Sequence, residues 1–213
     1  PRVRVQHHHA HLAAVMGENH WPLNGGPVAG IVLDGLGLGA DGTIWGGEVL
    51  LGDYRGVERL GWLRPAPLAG GDAANHEPWR NLMVRLDQAG LGDLADRLLP
   101  GAPREVLRRA VAAGVNSPLS SSAGRLFDAF AAALGVVPDR MSYEGEAGMA
   151  LETLAEGAGP VAPYPVGLEG AAVDPDPLCR ARAGAVGPPA RSPARCHAPP
   201  RMALPVRRRS AAG

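Results

Sequence analysis

Apolar residues recur with two different spacings along the first 180 or so positions, and each spacing predicts a different kind of element. Leu12, Val15 and Met16 share one side of a helix predicted over 9–17, which Gly17 ends. The unbroken run 28–33 predicts a short buried strand. Asp34 closes it and opens the stretch Asp34-Gly-Leu-Gly-Leu-Gly-Ala-Asp-Gly-Thr43, whose Asp41-Gly42 pair supplies the positive φ of a tight hairpin. The chain is therefore expected to return antiparallel over 43–51, with a third strand over 57–63. After Gly70-Gly71-Asp72 the spacing turns helical, with Trp79, Leu82, Met83 and Leu86 on one face. Two more helices are predicted over 91–99 and 104–113. A longer one is predicted over 117–135, with hydroxyls at its start and a stripe of Leu126, Phe127, Phe130 and Leu134. A last helix, over 143–154, carries acids in its first turn, as the helix dipole favours.

Composition changes this picture at the C-terminal end. Residues 180–213 contain 6 Pro and 8 Arg, no acid and no apolar period. Such a segment buries too little surface to offset its ordering entropy, so 179–213 reads as a disordered tail. The formal net charge of zero hides an asymmetry: −8 up to Asp176 and +8 after it. All 21 basic residues are Arg, which points to a GC-rich coding sequence more than to a nucleic-acid arm, and no nucleic-acid partner is expected. Cys179 and Cys196 form no C-x-x-C pair and are given no role. No apolar run is long enough to span a membrane and no signal-peptide pattern opens the chain, so a cytoplasmic protein is expected.

Three clusters carry candidate chemistry. In His7-His8-His9-Ala10-His11, residues 7 and 11 stand four apart on one helix face, the spacing that lets two imidazoles share a metal ion. Asp34 follows 23 residues after His11, at a strand end. A solvated His-rich helix start fits the same spacing, and His8 and His9 point elsewhere, either lining the pocket or facing water. The Gly-rich hairpin lets backbone N–H groups approach a phosphate, although a plain hairpin turn also explains it. A chain without Lys has no Walker motif, and a loop leading into a strand is not a Rossmann loop. The stretch Ser120-Ser-Ser-Ala-Gly-Arg-Leu-Phe-Asp128 offers hydroxyls, free N–H groups and Arg125 to an anion, or else an ordinary helix cap with a solvated Arg.

Taken in order, these motifs resemble the hydrogenase-maturation carbamoyltransferases of the HypF family. The motifs are Val5-Gln-His-His-His-Ala-His-Leu12, Leu33-Asp-Gly-Leu-Gly-Leu-Gly-Ala-Asp-Gly-Thr-Ile-Trp-Gly-Gly-Glu48, Gly70-Gly-Asp72 with Glu77-Pro-Trp-Arg80, the 120–128 stretch, and Tyr143-Glu-Gly-Glu146. The chain is similar, more distantly, to the TsaD-like threonylcarbamoyl transferases that modify tRNA. The likeness runs from Val3 to Leu178, where Tyr164-Pro-Val-Gly-Leu-Glu-Gly170 and Asp174-Pro-Asp-Pro-Leu178 still carry it.

The resemblance implies the front part of an α/β fold of the actin-like, sugar-kinase-like ATPase type, with a mixed sheet. It implies a mononuclear ferrous or zinc ion held by His7, His11 and Asp34. Gly35, Gly37, Gly39, Asp41, Gly42 and Thr43 would line the nucleotide side, as would Ser120, Ser121, Gly124 and Arg125. The implied reaction passes a carbamoyl group from carbamoyl-adenylate to the C-terminal cysteine thiol of HypE. The family's acylphosphatase-like, zinc-finger and YrdC-like regions are not in this sequence, nor is its later Ser-Gly-Gly-Val-Phe-Gln-Asn segment. The chain is thus not expected to make carbamoyl-adenylate itself. The change of composition after Leu178 reads as a frameshift or a fragmentary gene. Two rival readings are a threonylcarbamoyl-transfer relative, against which Trp45-Gly-Gly-Glu48 and Glu77-Pro-Trp-Arg80 speak, and a non-catalytic remnant that binds nucleotide or a partner.

Overall fold

A computed structural model of the chain describes residues 4–156 and 162–183. It opens with helix α1 (His7–Glu18), which lies against a long hairpin of β1 (Val28–Leu38) and β2 (Ile44–Gly52), followed by β3 (Val57–Leu63). The two hairpin strands run antiparallel, as do β2 and β3. Gly42 makes the turn with φ near +80°, where a side chain would be strained, and Asp41 closes the turn by accepting from Thr43 N. Two short strands, β4 (Ala66–Pro67) and β5 (Leu119–Ser120), extend the sheet beside β2. Another two, β6 (Gly167–Glu169) and β7 (Ala172–Asp174), extend it beside β3. Since β5 is parallel to β2 and β7 parallel to β3, the seven-stranded sheet is mixed. Among the described residues, no helix is long and apolar enough to cross a membrane.

Helices α2 (Pro78–Gln88), α3 (Gly92–Leu98), α4 (Arg104–Ala112), α5 (Ala123–Ala133) and α6 (Glu146–Glu156) form the helical side. Leu82 and Leu86 of α2 pack with Leu94 and Ala95 of α3 and Ala129 of α5. A separate cluster of Leu12, Met16, Val32, Trp45 and Leu50 pins α1 to the hairpin.

Four expectations change. The first strand is twice as long as predicted, and most of its apolar side chains are exposed: Val32 is buried, while Ile31 and Leu33 face outward from the free edge. Val15 of α1 is exposed too. The helix expected over 117–135 begins only at Ala123, because Ser120 is drawn into the sheet opposite Ile44. Small residues, Ala123, Ala129 and Ala131, form its buried stripe; Phe127 and Leu134 are exposed. Finally, the tail expected from residue 179 starts as helix α7 (Asp176–Ala183), with Cys179 buried. Arg64 anchors that helix by donating to both Asp174 and Asp176, each at 2.8 Å. The rest of the expected disordered segment, 184–213, lies outside the described residues.

Candidate metal centre

Gln6 caps α1 by accepting from His9 N at 2.8 Å, which fixes the first turn and so the direction of the histidines. His7 and His11 stand one turn apart, with their Nε2 atoms 3.1 Å from each other. Asp34 Oδ2 lies 2.9 Å from His7 Nε2 and 3.9 Å from His11 Nε2. Ligand atoms placed tetrahedrally about 2.0 Å from a zinc-sized ion stand roughly 3.3 Å apart, so the three atoms have the spacing of a shared ion. Both imidazoles are half exposed on one side, which leaves room for further ligands such as water or substrate oxygen. Two nitrogens and one oxygen suit zinc or ferrous iron better than calcium or magnesium.

A bulge aims the carboxylate. Leu33 pairs with Gly47 and Gly37 with Trp45, so Asp34, Gly35 and Leu36 all stand opposite Gly46 alone. A Cβ at Gly46 would lie 2.5 Å from Asp34 O and 3.0 Å from Ser122 Cα, so only glycine admits the bulge here. Its unpaired carbonyls are met by Ser122, whose hydroxyl proton is shared between Gly35 O and Asp34 O while its oxygen caps α5 by accepting from Arg125 N at 3.1 Å. One side chain thus ties the strand that carries Asp34 to the start of a helix nearly ninety positions away. Ser122 lies in the stretch read from sequence as an anion site or an ordinary helix cap, and it is the cap.

The other predicted residues take varied places. Gly35 and Gly124 meet: a Cβ on Gly124 would come within 3.2 Å of Gly35 Cα, and one on Gly35 within 3.4 Å of Glu144 Oε1. Gly37 clears the imidazoles, since a Cβ there would lie 2.5 Å from His7 Cδ2 and from His8 Cε1. Gly39 clears Trp45, whose Nε1 would stand 2.1 Å away. Asp41 accepts from Thr43 Oγ1, from Trp45 Nε1 and from Arg59. Partial burial works to raise its pKa, but those hydrogen bonds and the Arg59 charge hold its carboxyl below the usual range. Ser120 Oγ accepts from Ser122 N, and Ser121 Oγ donates to the fully buried Glu48, which also takes Arg59 Nε at 2.6 Å. Arg59 itself is sandwiched between Trp45 and Trp62. Arg125 does not face a cleft as expected. It turns inward to Asp128 at 2.5 Å and donates to Asn75 at 2.9 Å, so in this structure its guanidinium serves the helix packing.

Of the two places open to His8 and His9, facing water is the one they do not take, for both are buried. His9 Nε2 lies 2.7 Å from Asp53 O. His8 is fully enclosed beside Trp45, and its Nε2 stands 3.6 Å from Asp34 Oδ2. Burial holds its pKa below the ordinary value, with the carboxylates of Asp34 and Glu48 pulling the other way.

Comparison with known proteins places these features in context. Residues 30–198 match the family described as carbamoyltransferase, Kae1-like domain, second subdomain, so the likeness runs past Leu178, where it was expected to stop. The chain is 67% identical over 178 residues to carbamoyltransferase HypF of Rhodobacter capsulatus, covering 84% of this chain and 24% of that protein. It is 49% identical over 162 residues to carbamoyltransferase HypF2 of Cupriavidus necator, covering 75% of this chain and 19% of the relative. Among solved structures, a full-length HypF in a phosphate- and nucleotide-bound form superposes with a TM-score of 0.75 at 32% identity, over 85% of this chain and 24% of that one. The HypF of T. kodakarensis gives 0.73 at 35%, over 87% and 26%. The chain spans about a fifth to a quarter of the length of these proteins.

Proposed function

This chain belongs to the HypF carbamoyltransferase family, and on that premise we propose that it forms the metal-bearing wall of a carbamoyl-transfer site that moves carbamoyl from carbamoyl-adenylate to the C-terminal cysteine thiol of HypE. The observation that carries the reading is the convergence of His7, His11 and Asp34 beside the Gly35–Gly124 contact. The three side chains would hold zinc or ferrous iron, which when bound supplies a Lewis acid for carbamoyl or phosphate oxygen. Gly35 and Gly124 let the bulge and the start of α5 approach each other closely beside these side chains. In the transfer the thiol sulfur bonds to the carbamoyl carbon, the carbon–oxygen bond to the adenylate phosphate breaks, AMP leaves with the electron pair and the thiol proton passes to solvent or a base.

The test is to incubate the full chain, loaded with zinc or anaerobic ferrous iron, with carbamoyl-adenylate and HypE, and to read the HypE C-terminal peptide by mass spectrometry. Carbamoylated cysteine, reduced at least about tenfold by His11→Ala, is the expected result. An unmodified thiol in the presence of chain that binds metal normally would contradict the transferase reading and favour a binding role. Carbamoylation unaffected by His11→Ala would contradict the metal's part in it.

A further inference from the structure

His8 is the one imidazole of the cluster that is wholly buried, and its Nε2 has no hydrogen-bond partner among the described residues. Its other nitrogen does. Gln6 Nε2 lies 3.0 Å from His8 Nδ1 and 3.2 Å from Leu38 O, while Gln6 Oε1 accepts from His9 N–H. These contacts fix which end of the Gln6 amide is which. The backbone N–H of His9 can only donate, so it must face the amide oxygen; the carbonyl of Leu38 can only accept, so it must face the amide nitrogen. The NH2 group therefore donates to His8 Nδ1, which must be the unprotonated nitrogen of a neutral ring. The ring proton is left on Nε2, 3.6 Å from Asp34 Oδ2.

We infer that His8 is a positioning residue: a buried donor, preset by Gln6, that orients the Asp34 carboxylate for metal capture. The inference rests on the metal reading of His7, His11 and Asp34. When His7 ligates through Nε2 it can no longer donate a proton from that atom to Asp34, so the 2.9 Å contact between them is given up. Gly35 N still holds Oδ1 at 2.7 Å. His8 Nε2–H is then the donor best placed for Oδ2, and a small turn of the carboxylate closes the gap. A ligating carboxylate held by hydrogen bonds from behind is the arrangement that keeps a metal site in shape. The same proton bars His8 Nε2 from being a ligand itself. Gly37 makes the device possible, since a Cβ there would lie 3.0 Å from His8 Nε2 and 2.5 Å from His8 Cε1.

Two measurements on the full chain test this. Long-range proton–nitrogen NMR of the chain without added metal reports the tautomer of His8: a proton on Nε2, lost or shifted to Nδ1 in Gln6→Glu, is expected, and a proton on Nδ1 in the unsubstituted chain would overturn the inference. Zinc titration gives the second. His8→Leu keeps the bulk and loses the donor, and should weaken binding about tenfold to a hundredfold. His8→Gln returns an amide N–H near the Nε2 position and should recover most of that loss. Equal affinity in His8→Leu and the unsubstituted chain would overturn the role, as would failure of both variants to differ from each other. Absence of zinc binding in the unsubstituted chain would instead remove the metal reading on which it rests, while the tautomer measurement would still decide how His8 is set.

Discussion

A methyl group added at Gly46 or at Gly30 would come to 2.5 Å from a neighbouring atom, yet the obstacles differ. At Gly46 they are Asp34 O and Ser122 Cα, backbone that cannot yield without opening the bulge; at Gly30 the obstacle is the free end of the Leu12 side chain. Gly46→Ala should cost about 3 kcal/mol or more and Gly30→Ala about 1, read from urea midpoints, because overpacking is tolerated only where something can move. Equal costs would show that the bulge is not rigid. Individual residues were unevenly legible in the sequence. His7 and His11 could be paired from helical spacing, whereas Asp34 joined them only through the family resemblance. His8 could not, because the next residue on a helix points about 100° away from its neighbour and reads as off the shared face. Only the passage of Gly37 beside α1 puts its ring near Asp34, and that is a fact of tertiary packing. Arg125 misled for the converse reason: an Arg near a helix start beside three serines fits an anion site, but Asp128 one turn on claims it.

Helix α7 shows the same limit for whole elements. The acids end at Asp176 and the expected tail begins at residue 179, but Cys179 is buried and shares the lining of a small apolar cavity with Leu82 and Leu86, and Arg180 donates to Ala89 O at 3.1 Å, so packing against α2 extends the order past that point. Burial raises the Cys179 thiol pKa, with Arg85 opposing, so little thiolate is present and access is closed. Alkylation of Cys179 by iodoacetamide should thus be at least about tenfold slower in the folded chain than in urea, as followed by peptide mass spectrometry. Equal rates would mean that α7 is not docked. The turn, the returning strand β2 and β3 were legible nearly to the residue, since Asp41-Gly42 names the turn, whereas β1 runs five residues beyond its predicted end. The shortening of α5 was not, because a two-residue strand such as β5 has no period to read and exists only through its partners Ile44 and Ala66.

Across the whole molecule, side chains from the first turn of α1, the bulge of β1, the cap of α5 and the loop before α6 come together around Asp34 and Gly35. Each is placed by ordinary means: a helix cap, a glycine-permitted bulge, a serine shared between two elements. On the function proposed above, this convergence holds one metal ion. Isothermal titration of the apo-chain with zinc, for the unsubstituted chain and for His7→Ala, His11→Ala, Asp34→Ala and the control His76→Ala, measures it directly. His76 is a fair control because it is exposed and paired only loosely with Asp72 at 3.8 Å. One equivalent of zinc bound by the unsubstituted chain and the control, with affinity lowered at least about tenfold in the other three, is the result expected. The same affinity in all five proteins, or no binding in any, would contradict it.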